Sequence, residues 1–296
     1  MTEQDYGNGY GGIQMIYAMT MATKDYMPSA VFQLETAKNK GKVDKVICYN
    51  IDQDIDDEFK EKNRALLESG QGRRKGYYLW KPYFVNRAVN SIAYDDYLIY
   101  MDAAGFYYKR NVREIVQYME KNSIELVISR RYKYLEKHWT KRDAFVYMDC
   151  DSEKYWNQYQ CMGCFFVAKK TKKLEMIMGE GLQYAQDARI ISEAPNTCGK
   201  ENYEGFVENK HDQSIFSLLM TKYDTITIEE IKVPDFHKYH HTMETTVGKI
   251  NRELHKRRRA LICSYIKKKD YKGIYYTIRE ELKNTYYIQK ILKRKI

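Results

Sequence analysis

The chain has 296 residues, of which 44% are hydrophobic and 14% aromatic, so it can bury a large core and is not a disordered polypeptide. Its net charge of +10 is uneven: residues 249–296 carry 16 lysines and arginines against 4 acidic residues, and residues 1–248 carry 34 against 36. The body is nearly neutral, so an anionic partner is expected at the basic C-terminal segment.

Membrane-spanning and secreted classes are not supported by the sequence. No run of about 18 apolar residues occurs, and the N-terminus lacks a charged region followed by an apolar one. We therefore expect a cytoplasmic protein with reduced cysteines. Cys161 and Cys164 form a CxxC pair, but an apolar run follows them and no second pair is present, which favours core thiols over a zinc site.

The first half of the chain predicts a parallel sheet. Residues 1–12 are rich in glycine and tyrosine and are expected to form a flexible leader. Ile13–Thr20 predicts a strand, a helix is expected to open near Pro28, and Val46–Tyr49 predicts the next strand. This order is that of a βαβ unit, whose strands are parallel.

A basic loop and a helix start follow. Gly70–Gly76 holds three glycines and three cations but lacks the spacing of a P-loop, so a phosphate contact through Lys75 and an ordinary solvated loop are equally supported. Pro82 predicts a first helical turn with Trp80 and Lys81 beside it. Because helix N-termini favour anions, Lys81 is a candidate diphosphate contact.

One strand end is expected to hold the ligand site of this chain. Tyr97–Met101 predicts a buried strand, and Asp102 follows it directly, before the small residues Ala103–Gly105. Open α/β sheets bind ligands beyond the carboxyl ends of their strands. We therefore expect Asp102 at the centre of a ligand site.

The middle of the chain predicts further alternating elements. A helix over Val112–Lys121 and a strand over Leu126–Ser129 are followed by Tyr132–Asp143, which mixes aromatic and charged residues without a clear period. We interpret this segment as a functional loop or lid, the alternative being an amphipathic helix start capped by Thr140. Tyr159–Val167 then predicts a strand with a polar entrance.

Two polar groups stand near the end of the body. His211, Asp212 and Gln213 precede an apolar pattern of helical spacing, where an aspartate can serve simply as an N-cap. That account covers Asp212 but not its two neighbours. Residues 237–241 hold half of the six histidines of the chain, including His240.

The chemistry of a hydrolase or dehydrogenase is not supported. No G-x-S-x-G motif occurs, and the segment after the first strand, Thr20–Asp25, lacks glycine. A strand-end aspartate, a basic loop and an Asp/Gln pair suit a nucleotide-sugar enzyme better.

Five segments in this order carry a family resemblance: Gly76–Tyr83 (GYYLWKPY), Leu98–Gly105 (LIYMDAAG), Trp139–Phe145 (WTKRDAF), Gln160–Gly163 (QCMG) and His211–Ser214 (HDQS). They resemble bacterial glycosyltransferases of the GT-A fold that build capsular and lipopolysaccharide glycans, over roughly residues 13–242. The resemblance implies an α/β fold whose mixed, mainly parallel sheet is flanked by helices. It also implies a nucleotide-diphosphate-sugar donor and a glycan or lipid-linked acceptor.

The resemblance leads to a set of expected site residues. Asp212 and Gln213 are the expected catalytic pair, with Asp212 orienting or deprotonating the acceptor hydroxyl. The expected donor-binding residues are Thr20, Lys75, Trp80, Lys81, Asp102, Arg142 and Gln160.

One departure from the family pattern concerns the metal. GT-A enzymes commonly carry an Asp-x-Asp motif that holds Mn²⁺ or Mg²⁺, but Asp102 is followed by Ala103 and Ala104. Asp102 with His240 remains a possible metal pair, and a metal-independent site in which Lys75, Lys81 or Arg142 neutralises the diphosphate is the alternative.

The expected organisation is a leader of residues 1–12, a GT-A-like domain over residues 13–248 and a basic helical tail over residues 249–296. Such a tail suits the inner face of the cytoplasmic membrane, with lysines on acidic headgroups. No nucleic acid is expected as a partner. The alternatives are a nucleic-acid-binding protein that uses this tail, or a non-catalytic relative that binds nucleotide sugars.

Overall fold

The computed structural model describes residues 14–70, 72–107 and 112–227. Contacts along the chain define two units, Met1–His241 and Thr242–Ile296, and the second unit lies wholly outside the described residues. The expected leader, the expected basic tail and His240 also lie outside them. No helix of the described residues is both long enough and apolar enough to cross a bilayer.

The described strands form one six-stranded sheet in the order β2-β1-β3-β5-β4-β6. β1 pairs in parallel with β2 and β3, β4 pairs in parallel with β6, and β5 is antiparallel to both β3 and β4. Five strands therefore run one way and β5 the other, which confirms the predicted mixed, mainly parallel sheet. The strands are β1 (Ile16–Ala22), β2 (Lys45–Asn50), β3 (Tyr97–Met101), β4 (Leu126–Leu135), β5 (Tyr159–Lys169) and β6 (Ile226–Thr227).

Helices cover both faces of this sheet. The described helices are α1 (Met27–Thr36), α2 (Asp57–Lys62), α3 (Arg64–Glu68), α4 (Trp80–Ser91), α5 (Arg113–Lys121), α6 (Glu136–Trp139), α7 (Arg142–Tyr147), α8 (Glu153–Trp156), α9 (Lys172–Ala185), α10 (Ala188–Ile191) and α11 (Asp212–Lys222). One apolar cluster joins the sheet to α4, α9 and α11, and a second joins its other face to α1 and α5. The fold is thus three layers of helix, sheet and helix.

The central strand β3 is buried at every residue. Successive side chains of a strand point to opposite faces, so Leu98 and Tyr100 belong to the α4 side, while Tyr97, Ile99 and Met101 belong to the α1 side. Burial on both faces explains why the strand reads as a continuous apolar run. It also places Tyr100 on the face where α4 and α11 pack.

The prediction of a loop or lid at residues 132–143 is wrong. β4 continues to Leu135, α6 follows at once, and α7 begins at Arg142. The pairing of β4 with β5 shifts register after Ile128 and again after Arg130. Such bulges break the two-residue alternation that identifies a strand in a sequence, so the segment showed no period.

Candidate active site

Asp102 occupies the carboxyl end of β3. Its backbone N–H donates to the carbonyl of Cys164 on β5 at 3.0 Å, and its own carbonyl accepts from the N–H of Gly105 at 2.8 Å. A Cβ at Gly105 would overlap the Met101 side chain, so the turn after the strand requires glycine there. The backbone of Asp102 is therefore held from both sides.

Side chains of β1 and α1 also hold the end of β3 in place. The Thr20 hydroxyl and the Gln33 amide both donate to the carbonyl of Met101 at 2.8 Å, and both side chains are fully buried. Thr20 therefore supports the strand end, and its hydroxyl does not reach a ligand surface. The expectation that Thr20 contacts the donor does not agree with this placement.

A lysine from another helix joins two carboxylates. The Nζ atom of Lys81, in the first turn of α4, lies 3.3 Å from Oδ1 of Asp102 and 3.2 Å from Oδ2 of Asp212. It also donates to the carbonyl of Gly163 on β5 at 3.3 Å. The three charged side chains keep 15%, 28% and 10% of their surface exposed, for Lys81, Asp102 and Asp212 respectively. They form a nearly buried ionic cluster with one open side, at Asp102.

The protonation states of this cluster follow from burial and charge. Burial by itself would lower the pKa of Lys81, but the carboxylates of Asp102 and Asp212 outweigh it and hold that pKa well above its usual range. Burial raises the pKa of Asp212, and Lys81 opposes this rise. Burial and the nearby Asp102 charge raise the pKa of Tyr100, whose hydroxyl donates to Oδ1 of Asp102. Lys81 is therefore charged and Tyr100 neutral at physiological pH.

The described residues do not by themselves fit a divalent cation. Such an ion needs several oxygen or nitrogen ligands, and no group of three or more histidine, cysteine, aspartate and glutamate side chains in the described ranges is arranged to hold one. Lys81 already contacts one oxygen of Asp102 and one of Asp212. Because His240 lies outside the described residues, metal binding by Asp102 with His240 stays a prediction.

Two loops with strained backbone meet beside the cluster. Tyr77 and Tyr78 have φ values of 47° and 61°, and His211 has a φ of 56° with a ψ of −119°. The rings of Tyr77 and Tyr78 lie 5.1 Å and 6.1 Å from the His211 ring. Residues other than glycine rarely adopt these angles, and such strain concentrates at functional sites.

The His211 ring is anchored away from Lys81. Its Nδ1 atom lies 2.8 Å from the carbonyl of Ile191 and, since a carbonyl only accepts, Nδ1 carries the proton. This contact and the strained backbone fix the residue that immediately precedes α11. The position of Asp212, the first residue of α11, follows from it.

Gln213 and Gln160 are linked to each other. The Gln213 amide donates to Oε1 of Gln160 at 2.7 Å and accepts from the N–H of Gly163 at 3.2 Å. Gln160 is fully buried. The expectation that Gln160 contacts a donor sugar therefore does not agree with its placement, because its amide faces other protein groups on α6 and α11.

Three expected donor residues, Arg142, Lys75 and Trp80, lie outside the ionic cluster. Arg142 pairs with Asp151, at 3.2 Å from Nη2 to Oδ2, and its guanidinium lies 3.9 Å from the centre of the Tyr203 ring. Within the part of the chain that the structure describes, no ion pair or hydrogen bond joins Arg142 to Lys81, Asp102 or Asp212. Lys75 is exposed in the loop before α4, and Trp80, partly buried, is the first residue of α4.

Two members of the cluster were missed from sequence. Tyr100 stands two residues before Asp102, and the strand period offered a signal for it, since alternate residues share a face. The Gly163 carbonyl gave no signal, because any residue carries one. A Cβ at Gly163 would lie 3.2 Å from Cβ of Gln213, which explains the glycine.

Comparisons with known proteins give a partial likeness of fold. No family model and no curated protein sequence matches the chain. Mouse xyloside xylosyltransferase 1 is similar in structure at 12% identity and a TM-score of 0.39, over 72% of this chain and 84% of that one. The WbbM bifunctional glycosyltransferase is similar at 10% identity and a TM-score of 0.41, over 73% of this chain and 39% of that one. The Mn/GDP form of core-mannan synthase A from Aspergillus fumigatus is similar at 7% identity and a TM-score of 0.38, over 75% of this chain and 74% of that one.

Proposed function

We propose that this protein is a glycosyltransferase of the hexosyltransferase type, which moves a sugar from a nucleotide-diphosphate-sugar donor to a glycan or lipid-linked acceptor. The observation that carries the proposal is the convergence of Asp102, Lys81 and Asp212 at the carboxyl end of β3. These residues come from three of the five sequence segments that resemble GT-A glycosyltransferases. A fourth segment contributes the Gly163 carbonyl to the same cluster.

Asp102 is proposed to contact the donor. Its side chain is the most exposed of the three, and Oδ2 accepts no hydrogen bond from a described residue. A carboxylate with a free oxygen can accept hydrogen bonds from the ribose hydroxyls of a nucleotide. Tyr100 and Lys81 hold the other oxygen and so set the direction of Oδ2.

The leaving diphosphate is proposed to lie at the start of α4. Two carboxylates against one ammonium leave the cluster with excess negative charge, which disfavours a diphosphate directly on it. The N-terminus of α4 offers a favourable dipole, and the exposed Lys75 lies in the loop that leads to it. Positive groups placed there stabilise the charge that develops as the bond from sugar to phosphate breaks.

Asp212 is proposed to act on the acceptor. Burial raises the pKa of Asp212, which makes its carboxylate a stronger base than an exposed aspartate, and the Lys81 ammonium opposes this rise and favours the ionised form. It would orient the acceptor hydroxyl or take its proton as that oxygen attacks the sugar. Gln213, which follows it on α11, positions the β5 backbone through Gly163.

We also propose the wider setting expected from the sequence: a bacterial enzyme of surface polysaccharide synthesis that sits on the cytoplasmic membrane through residues 249–296. The support is the charge of that segment, with 16 basic residues against 4 acidic ones. Sedimentation with vesicles that contain anionic lipid tests this part.

The enzyme proposal is tested by a panel of donors. Unfolding temperatures of the full chain are measured with UDP-, GDP-, CMP- and dTDP-sugars, with Mn²⁺ and with EDTA, and nucleotide release is then followed for each sugar that stabilises the protein. Stabilisation by one nucleotide class together with its release supports the proposal.

The same measurements are made on Lys81→Met, which removes the cation of the cluster. Lys60→Met, which removes a lysine of an exposed ion pair on α2, is its matched control.

Two results would overturn the proposal. Binding of a nucleotide sugar without transfer to any acceptor and without hydrolysis would make the protein a non-catalytic relative. Steeply salt-dependent binding of RNA or DNA, with no effect of any nucleotide sugar, would favour the nucleic-acid alternative.

A further inference from the structure

A buried carboxylate lies behind the proposed active site. Glu136, the first residue of α6, keeps 1% of its surface exposed and lies where α6, β5 and α11 meet. The hydroxyls of Thr140 and Ser217 donate to it, and the Gln160 amide donates to Oε1 at 3.2 Å. Burying a carboxylate is costly unless hydrogen bonds compensate. These three donors supply that compensation.

The acceptors around Gln160 fix how its amide is oriented. The Gln160 NH₂ group lies 3.2 Å from Oε1 of Glu136 and 3.4 Å from the carbonyl of Trp139, which only accepts hydrogen bonds. Its oxygen then faces the other way, where Gln213 donates to it at 2.7 Å. The oxygen of Gln213 is left for the N–H of Gly163, at 3.2 Å. Each amide therefore has one orientation, fixed at one end by Glu136 and the Trp139 carbonyl and at the other end by the Gly163 N–H.

The far end of this chain is the ionic cluster. Gly163 uses both of its backbone groups, the N–H to Gln213 and the carbonyl to the Lys81 ammonium at 3.3 Å. Gln213 also lies so close to Gly163 that a Cβ added to this glycine would come within 3.2 Å of Cβ of Gln213. A change in either glutamine is thus transmitted to the Gly163 peptide.

We propose that Glu136 is a positioning residue of the active site, which acts through Gln160 and Gln213 to hold the Gly163 carbonyl where it fixes Lys81 between Asp102 and Asp212. The inference rests on the proposed function for its kinetic consequence but not for its geometry. It assigns Gln160 a supporting part and explains why a fully buried glutamine stands on β5. It also connects α6 to a reaction at the other end of the hydrogen-bond chain.

The variants separate positioning from simple stability. Glu136→Gln keeps an oxygen at the position that accepts from Gln160, whereas Glu136→Met removes it. Ser217→Ala is the matched control. Ser217 donates to the other oxygen, Oε2, and accepts from the N–H of Cys161, so its loss removes two buried hydrogen bonds but leaves the route through Gln160 intact. Gln160→Met breaks the chain at its second link and serves if Glu136→Met does not fold.

The expected result is a split between turnover and stability. Glu136→Met and Gln160→Met should lower kcat by about 10- to 100-fold, because small displacements of catalytic groups have effects of this size. Ser217→Ala should lower the unfolding temperature with kcat nearly unchanged, and Glu136→Gln should restore most of kcat. Equal kcat in Glu136→Met and Ser217→Ala would overturn the proposal.

A second measurement does not depend on the activity. Crystal structures of the wild type, Glu136→Met and Gln160→Met report whether the Gly163 carbonyl and the Lys81 ammonium move. Displacement of Lys81 from Asp212 in the variants supports positioning even if no donor is found, in which case only the proposed function fails. An unmoved Gly163 and Lys81 in both variants would overturn the proposal whatever the protein's substrate.

Discussion

The ammonium of Lys81 lies 3.2 Å from a carboxylate oxygen of Asp212, and these two residues stand in the first turns of different helices, α4 and α11. Both helices begin at the carboxyl edge of the sheet, beside Asp102. The pair therefore ties two helix N-termini to the strand end on which the proposed donor site is built.

Replacing Lys81 by methionine should remove donor binding and destabilise the fold. The change leaves Asp102 and Asp212 facing each other without a cation, and loss of one partner of a buried pair is costly. We expect a loss of about 2 to 3 kcal/mol, less than for a fully buried pair because Asp102 keeps 28% exposure. Urea unfolding and titration with the nucleotide measure both effects.

The pH dependence of this variant gives a further check. Burial raises the pKa of Asp212 and Lys81 opposes that rise, so without Lys81 the ionisation of Asp212 opposes folding more strongly and the deficit should grow as pH rises. Lys60→Met removes one partner of an exposed pair and should cost less than about 1 kcal/mol at every pH. A Lys81→Met protein that unfolds like Lys60→Met would contradict the role of the cluster.

Asp212→Asn should separate binding from catalysis. The amide keeps the size of the side chain but cannot accept a proton, so transfer is expected to fall by about 100-fold or more, as for loss of a general base. Donor affinity should change little, because Asp102 is the proposed donor contact. Initial rates and nucleotide titrations measure the two quantities, and a full transfer rate in this variant would exclude Asp212 as the catalytic carboxylate.

The stability of the protein should fall as pH rises toward neutrality because of Glu136. Burial raises the pKa of Glu136 from 4.5 to about 7, opposed by hydrogen bonds from Ser217, Thr140 and Gln160 and by the charge of Arg130. A carboxyl group whose pKa is higher in the folded than in the unfolded protein stabilises the fold fully below pH 4.5. This stabilisation is lost as pH rises to about 7. The difference corresponds to about 3 kcal/mol.

Glu136→Gln isolates this contribution. Glutamine does not titrate, so the free energy of unfolding of the variant should increase relative to that of the wild type as pH rises from 4.5 to 7. Urea unfolding at several pH values measures both proteins under identical conditions. Parallel stability curves for the two proteins over this range would show that Glu136 titrates normally.

Gly163→Ala should impair turnover more than stability. The added Cβ would lie 3.2 Å from Cβ of Gln213 and 3.4 Å from its Cγ, so Gln213 must move by a few tenths of an ångström. We expect kcat to fall about 10-fold with a stability loss of about 1 kcal/mol. Gly179→Ala is the matched control on α9, where the nearest atom is 4.0 Å away, and it should be neutral or slightly stabilising.

Much of the fold was predictable because the main elements follow local rules. The burial of β3 on both faces produces an apolar run that reads as a strand, and Pro82 in its first turn marks the start of α4. The segment at residues 132–143 was misread because the bulges of β4 are set by pairing with β5, which a local pattern does not contain.

The site was predictable in part. Asp102, Lys81 and Asp212 were identified as candidates from strand-end and helix-start positions, and the structure brings these three together. Thr20 and Gln160 were expected at the donor, but a residue's type and neighbours do not reveal whether its hydrogen bonds are already used inside the protein. Both are buried, with partners of their own.

The sequence by itself determined the elements of this protein and the chemical groups at their ends, because periodicity, proline and charge act over a few residues. Only the tertiary structure decided that one lysine serves two carboxylates and that Glu136 reaches it through two glutamines. Those relationships join residues from different helices and strands, and their energies depend on burial and on which hydrogen bonds remain open. The order of the strands in the sheet, which no local pattern encodes, is what brings them together.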